Sequence, residues 1–202
     1  MNAKGYLSGS ISILALITTI LASCAKPPTE KISSIQTALA ECETIGASIF
    51  APDEYQRINQ KMAELNSLME AKKFRKATSL ADTIIADIPS LKDLSETNGK
   101  QAAQEIMTAS YEQLGSLKAL LTEENVKLLD TEAAKYQQQC GDMEATLMNL
   151  QGALDNGNAL EVYNNSAMTG KLSASVQACN AEIAVAAEKA AAAKKPVRKK
   201  KK

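Results

Sequence analysis

The residues best able to do chemistry in this chain are its four cysteines, Cys24, Cys42, Cys140 and Cys179, and the lysines that crowd its end. A thiolate can serve as nucleophile, metal ligand or disulfide partner, but each role needs a neighbouring base, a second ligand or a second thiol. There is no histidine, which removes the commonest acid–base group and the commonest metal ligand. Cys42, Cys140 and Cys179 each fall on an apolar stripe of helical spacing, where cysteine behaves as a small buried hydrophobe. The carboxylates are scattered at helix-surface spacings and suit a solvated face better than an acid–base pair. No catalytic residue, metal site or cofactor is expected, and the chain is read as non-enzymatic.

Cys24 stands in a different setting. One basic residue, Lys4, precedes an apolar run from Ile11 to Leu21, the three-part layout of a secretory signal. A membrane-spanning helix needs about 20 apolar residues, and this run is shorter and broken by Ser12, Thr18 and Thr19. At its end, Leu21-Ala22-Ser23-Cys24 resembles the lipobox of bacterial lipoproteins at all four positions. The resemblance implies removal of residues 1–23, a thioether-linked diacylglycerol and an N-acyl chain on Cys24, and hence stable anchoring to a membrane. Ala25, where an aspartate would retain the protein at the inner membrane, implies an address on the periplasmic face of the outer membrane.

Beyond the signal, the composition favours helices. With two Phe, five Tyr and no Trp, burial must come from Leu, Ile, Met and Ala, which suit close helix–helix contact better than a sheet. Residues 24–29, with paired prolines, read as a lipidated tether. From Thr29, a possible helix cap, Ile32, Ile35, Leu39, Cys42, Gly46 and Ile49 recur every three or four positions, as one helix ending before Pro52. Pro52-Asp53-Glu54 opens a second helix, with proline and carboxylates suited to its first turn. Its stripe of Tyr55, Ile58, Met62, Leu65 and Met69 pairs with Phe74, Ala77, Ala81, Ile84 and Ile88 as an antiparallel hairpin, expected to close at Pro89. The segment from Ala71 to Pro89 resembles the second half of a tetratricopeptide repeat, with its small turn residue, aromatic, spaced alanines and closing proline.

A fourth helix, capped at Ser90, carries Ile106, Ser110, Leu114, Leu117 and Leu121, with a break possible near Gly99. The strongest pattern follows. Val126, Leu129, Ala133, Tyr136, Cys140, Met143, Leu147, Leu150 and Leu154 form a coiled-coil-like stripe predicted to run as one helix from Glu123 to Asp155. Asp155-Asn156-Gly157-Asn158 turns the chain, and Val162, Asn165, Thr169, Leu172, Val176, Cys179 and Ile183 return along it. The predicted fold is all-α: two antiparallel units, each a helix plus a hairpin, over residues 30–89 and 90–193, the second with the longer hairpin.

That hairpin brings Cys140 and Cys179 onto opposite arms, in a compartment where disulfides form. Its register places Cys140 opposite Val176, with Cys179 one layer away, about 5 Å along the axis. A bridge and plain core packing are both open on this pattern, and Cys42 is unpaired in either case.

Charge divides the chain. Net charge is formally zero, yet Lys194, Lys195, Arg198, Lys199, Lys200, Lys201 and Lys202 fall in the last nine positions. The tail over 194–202 is expected not to fold, because like charges repel and little apolar surface is available. In that compartment its candidate ligands are anionic lipids and peptidoglycan, contacted through Lys199, Lys200, Lys201 and Lys202, not nucleic acid. In outline, the lipidated Cys24, the helical body and a final lysine resemble the murein lipoprotein of enteric bacteria, which implies a cell-wall tether as a second reading. The first reading is an adapter or scaffold with an envelope protein as partner.

Overall fold

The computed structural model describes residues 26–193. Among these residues there are eight helices and no strand, so the protein is all-α. Contacts divide the chain into two compact units that meet between Asp93 and Leu94.

The first unit is built on a shared apolar face. Helix α1, Thr29–Thr44, is capped by Pro28, with Thr29 as its first helical residue and no side-chain cap. It does not continue to Pro52 as its stripe predicts. Gly46 turns left-handed (φ 82°), and a single-turn α2, Ala47–Phe50, follows. A residue without Cβ adopts that conformation at no steric cost, so periodicity alone hides the break. Helix α3, Pro52–Glu70, begins as its sequence dictates, with proline at the start and Asp53 and Glu54 in the first turn. Ile35, Cys42, Ile58, Leu65, Ala77, Ala81, Ile84 and Leu91 form the buried cluster, flanked by Ile32, Leu39, Tyr55, Met62, Met69 and Ile88.

The turn between α3 and α4 is a helix-terminating motif in which Lys73 N–H donates to Leu68 O at 2.9 Å and Lys72 N–H to Met69 O at 3.0 Å. This arrangement needs a left-handed residue, usually glycine. Here it is Lys72, at φ 55°.

Helix α4 runs from Phe74 to Leu120 and carries Pro89 inside it. The end expected at Pro89 and the break considered at Gly99 are both absent. Pro89 is exposed, and Ile85, whose carbonyl loses its helical partner to the proline, is 39% exposed, so water can serve that oxygen. The inward face continues through Ile84 and Leu91 without interruption. In the middle of the same helix three successive inward positions are small: Ser95 and Ala103 are both 0% exposed, and Gly99 between them is buried.

The second unit contains the latter part of α4 with α5, Glu123–Leu129, α6, Thr131–Asp155, α7, Ala159–Asn164, and α8, Ala167–Ala193. Thr122 caps α5 by accepting from Asn125 N–H at 3.2 Å. The single helix predicted from Glu123 to Asp155 is interrupted at Asp130, whose φ of 52° and ψ of −120° belong to no helix. Spacings of three and four persist across the break, so the stripe does not record it.

At the tip, Gly157 (φ 81°) ends α6 with the same bonds as Lys72 makes, Asn158 N–H to Ala153 O and Gly157 N–H to Leu154 O, both 2.9 Å. The return arm is also broken. Asn165, Ser166, Met168 and Thr169 each donate three residues back, in tighter turns than an α-helix. That change of pitch rotates the face, so Met168 is buried where the stripe predicted Asn165 and Thr169.

The core of this unit draws on Met107, Leu114 and Leu117 of α4, Tyr136, Cys140, Leu147 and Leu150 of α6, and Val162, Leu172 and Cys179 of the return arm. Polar contacts tie the same three arms. The hydroxyls of Ser110 and Thr169 are 2.7 Å apart, and Lys118 pairs with Glu144.

Candidate functional site

The two core cysteines singled out by type are brought together. Cys140 on α6 and Cys179 on α8 are free buried thiols in one apolar cluster, 6% and 0% exposed. Burial pushes both thiols up from their ordinary range, and for Cys179 the nearby Glu182 carboxylate and Cys140 add to the effect. These surroundings favour the protonated thiol, the opposite of what a nucleophile requires. Cys42 is also buried, in the first unit. Cys24 and the tail residues Lys199, Lys200, Lys201 and Lys202 lie outside the described residues.

One turn from the cysteines the core becomes polar. Tyr136 is 1% exposed, and its hydroxyl, Gln139 Oε1 and Glu182 Oε2 are all buried without a hydrogen bond of normal length, the Glu182 carboxylate lying close enough to the phenol to act on it. Burial first, and then the Glu182 carboxylate, push the Tyr136 phenol up to about 12. Lys135 sits above this group. Its Nζ is 4.9 Å from the centre of the Tyr136 ring, 3.7 Å from Glu182 and 3.8 Å from Glu132. At those separations one ammonium serves two carboxylates without closing a short bond to either.

Beside this cluster an open groove of about 630 Å³ runs between the α5–α6 junction and α8. Leu128, Leu129, Val185 and Ala186 supply apolar surface, while Glu132 and Glu182 line it on one side of Val185 in the chain and Lys189 on the other. Val185 is 50% exposed, so the apolar floor is wet. The break at Asp130 contributes directly, because it lies between Leu129 and Glu132, two of the lining residues. The sequence reading missed this site. Its one readable trace is Glu182, three residues after Cys179 and therefore at the edge of the inward stripe of α8, where a carboxylate is partly desolvated.

Among the described residues there is no group of three or more His, Cys, Asp or Glu that could hold a metal ion. No helix among them is long and apolar enough to cross a membrane. The groove offers apolar area and opposed charges, which suits an extended or helical peptide carrying both. Comparison with protein-family models, with curated proteins and with solved structures gives no match to this chain.

Proposed function

We propose that this protein is a non-enzymatic lipoprotein, anchored through Cys24 to the periplasmic face of the outer membrane, where its helical body acts as an adapter or scaffold for another envelope protein. The observation that carries the reading is the run Leu21-Ala22-Ser23-Cys24 behind a short apolar segment. Two acyl chains on one residue exceed the anchoring a single chain gives, so the body needs no spanning helix to stay at the membrane. The open groove in the second unit supports a binding role, since it combines an apolar floor with charged side chains.

Intact mass and membrane fractionation of the wild type and Cys24→Ala test the anchor. The expected result is a chain beginning at Cys24 with acyl additions, and loss of both the additions and membrane association in the variant. An unmodified wild-type chain released without detergent overturns the reading.

A second reading rests on the seven basic residues over 194–202. In it, the tail holds peptidoglycan, through charge or through a covalent bond to Lys202, while Cys24 holds the membrane. Muropeptide analysis after digestion of the cell wall separates the two. A lysine-linked muropeptide on this chain establishes a covalent tether, and recovery of the whole protein by detergent and salt favours the adapter.

A further inference from the structure

We propose that the outward face of α6 is a docking surface for a second copy of this chain, on which two α6 helices pack antiparallel with each Met148 seated against the partner's Ala145. The inference does not depend on the anchor at Cys24, because the surface lies wholly within the second unit.

The face is apolar and uncovered. Helix α6 buries Tyr136, Cys140, Leu147 and Leu150 on its inner side. On the opposite side Ala134, Gly141, Ala145, Met148 and Gly152 recur at helical spacing, and all are exposed. Met148 is 72% exposed, the most of any large apolar side chain among the described residues. Gly141 and Gly152 are not required by packing within the chain, since a Cβ built at either meets no atom within 4 Å. Glycine is also the poorest helix former after proline, so alanine at either position would suit the lone chain better. What the missing Cβ does allow is close approach by another helix.

The order of sizes selects the partner and its direction. Two copies related by a two-fold axis present the same patch to each other. Antiparallel helices centred between Thr146 and Leu147 bring Gly141 level with the partner's Gly152, and Met148 level with the partner's Ala145. Each large side chain then meets a small one, as knobs and holes require. Parallel helices would set Met148 against Met148 and hold the glycines apart.

The polar flanks agree with this register. In an antiparallel two-fold pair, like flanks meet. One flank carries Asp142 and Asn149, the other Gln137, Glu144, Gln151 and Asp155. To within about 3 Å along the axis, Asp142 faces the partner's Asn149, Glu144 the partner's Gln151, and Asp155 the partner's Gln137. Each of these carboxylates meets a carboxamide that can donate to it, and no two of them meet each other. Gln151 gives one amide N–H to Asp155 at 2.8 Å and keeps the other for this contact. In a parallel pair, opposite flanks meet and Glu144 comes beside the partner's Asp142. From Gln137 to Asp155 the face is about 27 Å long and one helix wide, at the low end of specific interfaces, so the pairing is expected to be reversible.

The test is cross-linking of the full chain, purified in detergent, with a short bis-maleimide. Chains carrying Gln137→Cys and chains carrying Asp155→Cys, differently tagged, are treated separately and mixed, and wild type sets the background from its own cysteines. Each new cysteine lies at least about 25 Å along the axis from its own copy, beyond the reagent's span, but beside the other. The expected result is a dimer in the mixture at several times the yield of either variant alone, and its loss, at least about ten-fold, when Gly141→Glu/Gly152→Glu is added to both chains. Circular dichroism checks that this variant keeps its helices; should it not, the cysteine map decides alone. Equal linking of each variant to itself, no dimer above wild type, or linking indifferent to the glycine replacements in a folded chain each overturn the proposal.

Discussion

Lys61 Nζ donates to Asp87 Oδ2 at 2.6 Å, joining the two arms of the first hairpin at side chains 24% and 21% exposed. Arg57 reaches the same carboxylate oxygen at 3.2 Å. Lys61, and after it Arg57, hold the Asp87 carboxyl below its usual range. Because the folded state binds this proton more weakly than the unfolded chain, the contribution is complete above the ordinary carboxylate pKa and is lost as pH falls through the depressed one. Asp87→Asn is expected to lower stability at pH 7 by roughly 0.5–1 kcal/mol, with the difference from wild type shrinking in acid, measured by urea unfolding at pH 7 and pH 2.5.

The Tyr136 phenol behaves in the opposite sense. With its pKa raised to about 12 in the folded protein, it keeps its proton where the unfolded chain has lost it, so stability falls as pH rises from about 10 to 12. Tyr136→Phe is expected to flatten that alkaline loss. At neutral pH the same change removes a buried hydroxyl that has no hydrogen bond of normal length and leaves Glu182 without its neighbour, so it is expected to cost no more than about 1 kcal/mol. Thermal unfolding of both proteins at pH 7 and pH 11 checks both signs.

Two non-glycine residues carry backbone angles that glycine tolerates best, Lys72 at φ 55° and Asp130 at φ 52°. Lys72→Gly and Asp130→Gly are each expected to stabilise by about 1 kcal/mol, through relief of the Cβ contact and against the entropy glycine adds to the unfolded chain. Gly157→Ala is the control, and it is expected to cost about 1 kcal/mol because Gly157 holds the same turn at φ 81°. Denaturant midpoints at constant slope report all three.

Cys140 and Cys179 are both buried, and burial raises both thiols. Their reaction with a colorimetric disulfide reagent at pH 8 is expected to be at least about ten-fold slower in the native protein than in denaturant, because both access and thiolate fraction are low. Equal rates in the two conditions contradict this picture of the core.

The stripes were legible because they record which side of each helix is apolar. Ile58, Leu65, Ala77, Ala81 and Ile84 all join the first core, and Leu129, Tyr136, Cys140, Leu147 and Leu150 the second. The breaks were not. Asp130 lies between stripe residues that keep their spacing, and Asn165 lies where tighter turns rotate the face and bring Met168 inward. Pro89 misled in the other direction, since a proline on a wet face removes one hydrogen bond without ending a long helix. The groove escaped for the same reason as Asp130: it is produced by an interruption, and an apolar pattern records continuity.

Ser95, Gly99 and Ala103 form a fully buried row on α4 in which no side chain is larger than a hydroxymethyl group. In most cores the harmful change is loss of volume; along this row there is almost no volume to lose. Tolerance here runs backwards. Trimming Ala103 removes a single methyl group, whereas enlarging any of the three demands space in a buried row, at about 1–3 kcal/mol for each intrusion. In a collection of variants, this row would be recognised by its intolerance of leucine and phenylalanine.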